Sequence, residues 1–176
     1  SKTIVAESAK SLNMPYITER WPGGLLTNFS TIRKSIKKMN SIDTMKEDGT
    51  FDTLSKREKL QIERTREKLE LNFGSIENMN RIPEAIFVVD INKEHIAVAE
   101  ANKLGMRSYA MVDTNTNPKL VNFPIPANDD STKSISKIMQ IISEAIAEGL
   151  SERSKTIEEK AKIKQEKAKE ILNKDN

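Results

Sequence analysis

The sequence has few of the residues that form disulfide-bonded, metal-binding or membrane-spanning proteins. Its 176 residues include no cysteine, which excludes a disulfide framework, a cysteine-ligated zinc site, an iron–sulfur cluster and a thiol nucleophile. A single histidine, His95, excludes a metal site built from several histidines of this chain. No apolar run approaches the ~20 residues that cross a bilayer, and no secretion leader is recognisable. We therefore expect a cytoplasmic protein with no membrane partner.

Glycine is also scarce, and its positions argue against a nucleotide-binding enzyme. Dinucleotide and phosphate loops need closely spaced glycines, so that the backbone can approach the phosphates. The six glycines, at 23, 24, 49, 74, 105 and 149, never have that spacing. His95 could act as a general base, but the sequence has no Gly-x-Ser-x-Gly segment to supply a serine nucleophile. Asp90 and Asp113 are typical of residues that cap turns after strands. A Rossmann-like enzyme stays an alternative, but we predict no enzyme and no cofactor.

The positive charge is concentrated at one end of the chain. Residues 1–40 contain seven basic and two acidic residues, whereas the remainder contains 22 basic and 24 acidic residues. A localised basic region beside a nearly neutral body is typical of an anionic partner, most often nucleic acid. A solvated helix face explains the charge equally well at this point.

Strand and helix patterns alternate in the second half of the chain. The apolar run at 85–89 predicts a strand buried on both faces, and further strands are predicted at 108–112 and, limited by proline, at 121–126. Helical periodicity follows at 92–104 and from residue 131 to Gly149. This alternation predicts an α/β fold with a Rossmann-like (flavodoxin-like) parallel sheet. An earlier helix is predicted over residues 3–12, followed by a short strand at 16–18. The buried face of the helix at 92–104 is predicted to consist of Ile96, Ala97, Ala101 and Leu104.

Two amphipathic helices separated by a turn at Asp48-Gly49 precede the sheet pattern. Each has a narrow apolar seam of the coiled-coil kind, and Ser55 with Glu58 has the spacing of a capping box. We predict three units: an α/β domain over 1–29 and 80–150, an inserted, projecting antiparallel helical hairpin over 30–79, and a charged helical tail over 151–176.

Candidate nucleic-acid contacts lie where the first unit meets the hairpin. Arg20-Trp21 places a cation beside a stacking surface, and Gly23-Gly24 would let backbone amides approach a phosphate. A core anchor is the alternative role for Trp21, and it is the usual role of a lone tryptophan. Four basic residues on adjacent helical turns would follow one run of phosphates: Arg33, Lys34, Lys37 and Lys38.

Acidic residues cluster after the second and third predicted strands. Asp129-Asp130 together with Asp113 would supply oxygen ligands for a weakly bound divalent cation. Capping of the helix that begins near Ser131 accounts for the same two aspartates, and we favour it, so no metal site is predicted.

Several segments, in order, resemble the bacterial small-subunit ribosomal protein S2 family. The resemblance is carried by the run from Arg20 to Phe29, RWPGGLLTNF, and by DGTFD at 48–52. It continues through PEAIFVVD at 83–90, EANKLG at 100–105, VDTN at 112–115 and IPANDD at 125–130. Pro22 and Arg107 depart from the residues common in the family. Family members also carry an opening helical stretch and a first strand that this chain lacks, so we expect an N-terminally truncated sheet capable of self-association.

The resemblance implies a structural, non-catalytic constituent of the small ribosomal subunit that supports translation. Its implied partners are small-subunit rRNA and neighbouring ribosomal proteins, including ribosomal protein S1. It implies rRNA contacts at Arg20, Asn28 and the basic helix face, with Trp21 and Gly23-Gly24 shaping the loop. It adds weaker candidates on the strand-end loops: Thr114, Asn115 and Asn128.

Overall fold

The computed structural model describes the backbone of residues 1–174 and the side chains of residues 1–157 and 160. The α-helices of this part are α1 (Lys2–Ser11), α2 (Phe29–Glu47), α3 (Lys56–Phe73), α4 (His95–Lys103) and α5 (Thr132–Lys174). The strands are β1 (Ala85–Val88), β2 (Arg107–Val112) and β3 (Phe123–Pro126). Among these described residues, no helix combines the length and the hydropathy of a bilayer span. The last two residues of the predicted tail lie outside the described backbone.

The three strands form one parallel sheet in the order β1-β2-β3. Phe87 pairs with Tyr109, and Tyr109 pairs in turn with Phe123, so the carboxyl ends of the strands lie at one edge. The strand predictions at 85–89, 108–112 and 121–126 are confirmed within two residues of each end. A parallel β1-α4-β2 unit and a mixed helix–sheet architecture confirm the α/β class.

Alternate residues of β2 fill two separate apolar clusters, one on each face of the sheet. Ala110 and Val112 pack with Val98 of α4. Met111 points the other way and packs with Ile135 and Met139 of α5 and with Ile4 and Val5 of α1. Because successive strand side chains point to opposite faces, this alternation places the sheet between two helical layers.

The second and third helices contact each other, and the apolar stripe that the sequence predicts on the second helix is buried. Ile32, Ile36, Met39 and Ile42 of α2 are buried. The Arg66 Nε of α3 donates to Asp43 Oδ1 at 2.6 Å, and Lys46 Nζ lies 4.0 Å from Glu63 Oε1. The predicted capping box is confirmed, since Ser55 and Glu58 exchange both hydrogen bonds at the start of α3.

The prediction that the last helix ends at Gly149 is wrong. Helix α5 runs for 43 residues through that glycine. A glycine inside a helix costs only about 1 kcal/mol relative to alanine, and the charged residues that follow have good helix propensity. The φ angle of Gly149 is also not among the positive values that mark a helix end. The boundary at residue 150 thus marks a change of composition within one helix.

Two smaller predictions are also wrong. The segment Tyr16-Ile17-Thr18 belongs to none of the described strands. It lies between a helix and a turn, and no strand of the sheet pairs with it. On α4 the predicted inward residue Leu104 is 44% exposed, because the helix ends one residue earlier. Val98 and Glu100 are buried instead.

Replacing Ile135 with alanine is expected to lower the free energy of unfolding by about 2–3 kcal/mol. This side chain is 1% exposed and joins α5 to the sheet through Met111, so its loss leaves a cavity. Ile141 of the same helix is 51% exposed, and its replacement with alanine is the matched control, expected within about 0.5 kcal/mol of the parent. Urea unfolding followed by circular dichroism measures both. Equal effects would contradict the packing of α5 on the sheet.

Candidate nucleic-acid interface

A single buried carboxylate holds the loop between α1 and α2. Glu100 of α4 is 7% exposed, and its Oε1 accepts hydrogen bonds from Gly24 N at 2.7 Å and Trp21 Nε1 at 3.2 Å. Its Oε2 accepts from Leu26 N at 2.9 Å, Thr27 N at 3.0 Å and Thr27 Oγ1 at 3.2 Å. Both oxygens are therefore satisfied by one loop, whose backbone is fixed relative to α4.

The environment of Glu100 favours its charged form. Burial alone raises the pKa of this carboxyl, but the backbone N–H groups of Thr27, Gly24 and Leu26 and the indole of Trp21 lower it more. The net result is a pKa below the ordinary value of 4.5. Hydrogen bonds to the ionised form stabilise that form, so Glu100 is a carboxylate at neutral pH.

This lowered pKa predicts a pH-dependent contribution to stability. A group whose pKa is lower in the folded state stabilises the fold above its unfolded pKa and loses that contribution as pH falls through the folded pKa. The stability difference between the parent and Glu100→Gln is therefore expected to be full at pH 7 and to shrink below pH 4.5. Urea unfolding of both proteins between pH 7 and pH 3 measures it. A difference that stays constant with pH would contradict the charged-acceptor role.

Glu100 is the residue of this candidate site that the sequence analysis missed. Its donors lie 73 to 79 residues earlier in the chain, and no local pattern reveals them. One signal was present in the sequence: a glutamate lies between Ala97 and Ala101 on the inward face of a predicted helix. A charged residue at such a position needs partners, and the neighbouring candidate loop supplies them.

The anchored loop divides its residues between the interior and the surface. Trp21 is half-buried and contacts both apolar clusters beside it, one around Leu25 and one around Leu26, so it occupies the core-anchor position. Gly24 has a φ of +87°, a left-handed conformation in which a side chain would be strained. Arg20 and Gly23 are exposed, and a Cβ at Gly23 would meet no atom within 4 Å. The backbone at Gly23 is thus open to approach from solvent.

The basic residues of α2 have two different environments. Lys34, Lys37 and Lys38 are exposed on the helix side opposite the buried stripe, and within the described side chains none of them forms an ion pair. Arg33 is half-buried, and its guanidinium donates to the Met79 carbonyl at 3.1 Å and to Asn80 Oδ1 at 2.8 Å. Arg33 therefore holds the segment after α3, whereas the three lysines are available to a ligand.

The predicted asparagine and threonine contacts lie at two separate places. Asn28 occupies the N-cap position of α2, although its Oδ1 accepts from the Thr31 hydroxyl at 2.9 Å rather than from a backbone N–H. Thr114 and Asn115 are exposed in the loop after β2. Asn128 follows β3. The structure therefore brings Asn28 beside the anchored loop and the other three to the carboxyl edge of the sheet.

Asn128, rather than the neighbouring aspartates, caps the turn into α5. Its Oδ1 accepts from Asp130 N at 2.9 Å and from Ser131 N at 2.7 Å, so the capping role predicted for the aspartates is wrong. Asp129 is 8% exposed, and burial, followed by the negative charges of Asp90 and Asp113, raises the pKa of its carboxyl above the usual value. The aspartates lie at this edge without a helix-capping function.

Fold and surface together define an α/β protein with an exposed basic helix face and an anchored, amide-bearing loop, and without the glycine spacing of a nucleotide site. The chain belongs to the ribosomal protein S2 family, whose model matches residues 1–149.

Curated relatives agree with the family assignment. A small ribosomal subunit protein uS2 from Flavobacterium johnsoniae is 63% identical over 153 residues, which are 87% of this chain and 60% of that protein. The protein of the same name from Flavobacterium psychrophilum is 62% identical over 154 residues, 88% of this chain and 58% of that protein. The one from Christiangramia forsetii is 61% identical, covering 87% and 51%. The chain thus spans between half and three-fifths of the length of these relatives.

Proposed function

We propose that this chain is a structural constituent of the small ribosomal subunit that binds small-subunit rRNA through phosphate contacts. The observation that carries the proposal is the basic face of α2, formed by Lys34, Lys37 and Lys38. Lysines three and four residues apart lie on neighbouring turns of one helix side, at the spacing needed to follow a phosphate backbone. The names of the relatives, small ribosomal subunit protein uS2, support the same assignment.

The anchored loop supplies the second part of the proposed rRNA surface. Its exposed members Arg20 and Gly23 lie just before α2, with Asn28 at the start of that helix. A cationic side chain and an unhindered backbone suit contact with a folded phosphate surface more than the reading of base edges. Specificity would then come from rRNA shape, with Glu100 and Trp21 fixing the shape of the protein loop. Thr114, Asn115 and Asn128 are proposed as a peripheral contact.

A structural role is favoured over an enzymatic one by how the strand-end acids are used. Asp90 Oδ1 accepts from Asn92 N at 2.9 Å and Lys93 N at 3.0 Å, which is a turn-capping arrangement. His95 is exposed, and its Nδ1 lies 3.2 Å from the Asn92 carbonyl. Both side chains contact backbone atoms of the same turn, so we propose no catalytic residue and no cofactor.

The finer architecture belongs to the same proposal. We infer that the three-stranded sheet is Rossmann-like. We also infer that α2 and α3 form an antiparallel helical hairpin that extends from the α/β domain. The ion pairs Asp43–Arg66 and Lys46–Glu63 support this, because the later residue on α2 contacts the earlier residue on α3. Neighbouring ribosomal proteins, including ribosomal protein S1, are the proposed protein partners, and the ribosome in the cytoplasm is the proposed location.

The salt dependence of rRNA binding tests the proposal. The 176-residue chain is titrated with small-subunit rRNA at several salt concentrations, and binding is followed by fluorescence anisotropy. Phosphate-driven binding requires the logarithm of the association constant to fall linearly and steeply with the logarithm of salt concentration. An association constant that does not change with salt concentration would instead favour a protein-interaction module acting through the hairpin. Light scattering on the free chain reports whether it self-associates.

A further inference from the structure

Three aromatic side chains lie in register on one face of the sheet. Phe87 of β1 pairs with Tyr109 of β2, which pairs in turn with Phe123 of β3. Because residues in register on neighbouring strands point to the same face, the three side chains form one row across the sheet. Phe87 belongs to the apolar cluster under α1 and α5 and is half-buried. Tyr109 is 36% exposed and Phe123 is 47% exposed, so the helices leave the end of the row uncovered.

The two exposed rings stack on each other. The ring centroids of Tyr109 and Phe123 lie 4.5 Å apart, and the ring planes differ by 13°. Parallel rings at this separation lie face to face, because rings placed side by side on the sheet would be further apart. Phe123 is on the edge strand, since the strand order is β1-β2-β3. One face of its ring therefore meets Tyr109, and the other face is directed outward past the edge of the sheet.

The outer edge of β3 is closed to a further strand. Ala127 N donates to Val112 O at 3.2 Å, so odd-numbered residues of this segment direct their N–H groups toward β2. The even-numbered residues face outward, and two of them, Pro124 and Pro126, have no N–H group. Prolines at these positions are typical of edge strands, because they remove the donors that an added strand needs. The outward face of the Phe123 ring is thus open to a ligand other than a strand.

A cation lies beside the stacked rings. Arg107 is exposed and precedes Tyr109 by two residues, so it lies on the same face of β2, about 7 Å closer to the amino edge of the sheet. Among the described side chains, Arg107 forms no ion pair. The rings therefore have an uncompensated positive charge within reach of an anionic ligand that contacts them.

The size and chemistry of this patch favour a nucleobase over a protein. The two rings leave on the order of 200 Å² exposed, far below the roughly 800 Å² that each partner buries in a stable protein interface. One ring face matches one base, and stacking on an aromatic side chain beside a cation is a common way of holding unpaired nucleotides. We propose that Tyr109 and Phe123 form a stacking platform for an unpaired RNA base, which packs on the open face of Phe123 while Arg107 contacts its phosphate.

This inference rests on the proposed rRNA binding and adds a base contact to it. Stacking uses the flat face of a base and reads none of its edges, so the platform accepts any of the four bases. It therefore agrees with recognition of rRNA shape rather than sequence. Stacking is also uncharged, so the platform contributes affinity that salt does not remove, in contrast to the lysines of α2.

The test compares two RNA strands of about ten nucleotides, one with bases and one abasic, each titrated with the whole chain and followed by fluorescence anisotropy. The two strands carry the same phosphates, so the platform is expected to bind the base-bearing strand at least about 5-fold more tightly. Phe123→Leu keeps an apolar side chain but removes the ring, and its affinity for that strand is expected to fall about 10-fold with an unchanged salt dependence.

Matched variants separate lost stacking from a disturbed strand. Phe123→Trp restores a ring and is expected to bind the base-bearing strand at least as tightly as the parent. Leu104→Ala changes an apolar residue of similar exposure, 44%, outside the platform and is expected to bind as the parent does. Circular dichroism checks that each variant is folded.

Two results would overturn the platform: equal affinity for both strands, or parental affinity in Phe123→Leu. Either would leave the exposed rings to a protein partner. Both are independent of the proposed function, which fails separately if binding of small-subunit rRNA does not weaken as salt concentration rises.

Discussion

Replacing Glu100 with leucine is expected to lower the free energy of unfolding by about 3–4 kcal/mol. The substitution replaces the carboxylate with an apolar side chain and leaves the N–H groups of Gly24, Leu26 and Thr27 without their acceptor. A buried N–H group that loses a charged acceptor lowers the free energy of unfolding more than an N–H group that water can reach. Leu26 is among the most buried of the described residues. Urea unfolding at neutral pH measures the loss.

The single tryptophan provides an independent readout of the same change. Trp21 Nε1 donates to Glu100, so release of the loop exposes the indole and is expected to shift its emission to longer wavelength in the folded state. Glu84→Leu is the control, since Glu84 is exposed and should change neither stability nor emission. A Glu100→Leu protein with parental emission and stability within about 0.5 kcal/mol of the parent would show that the loop is held by other contacts.

Reversing the charge of Lys34, Lys37 and Lys38 together is expected to weaken rRNA binding by about 100-fold or more at moderate salt. All three are exposed, so the fold should remain intact, and loss of about three phosphate contacts should flatten the salt dependence by two to three units of slope. Arg33 is kept, because it holds the Met79 carbonyl and its loss would disturb the fold. Anisotropy titrations at several salt concentrations give both quantities.

A charge-matched variant distinguishes a local surface from a general electrostatic effect. Glutamate at Lys103, Lys119 and Lys133 makes the same change in net charge at exposed positions outside α2. We expect this control to retain most of the affinity and of the salt slope. If both triple variants lost affinity equally, net charge rather than the α2 face would account for binding.

The periodic parts of the fold were predictable from sequence because periodicity is a local property. The apolar run at 85–89 and the stripe of Ile32, Ile36 and Met39 each identify an element and its buried side. Gly149 shows the limit of local signals, since α5 continues through it, whereas Gly105, just after α4, takes the left-handed φ of +62° that often marks a helix end. The sequence around each glycine does not distinguish these two outcomes.

Long-range contacts account for what the sequence did not disclose at the candidate interface. Arg33 and Lys34 are adjacent basic residues of one helix, yet only Arg33 meets acceptors, which come from residues 46 and 47 positions further along the chain. Glu100 likewise acquires its role from a loop more than seventy residues earlier. Charge patterning predicted which helix is basic, but which of its charges are committed to the fold depends on distant backbone groups.

The reach of the Glu100 contacts also has a consequence for the order of folding events. The contact between Asp43 of α2 and Arg66 of α3 spans 23 residues, and it is expected to form earlier because less chain entropy is lost on closing a shorter loop. The hydrogen bonds from Gly24, Leu26 and Thr27 span 73 to 76 residues and need α4 already seated on the sheet. We therefore expect the loop to reach its final conformation among the last steps of folding. A chain whose loop has that conformation is then one whose sheet has already formed.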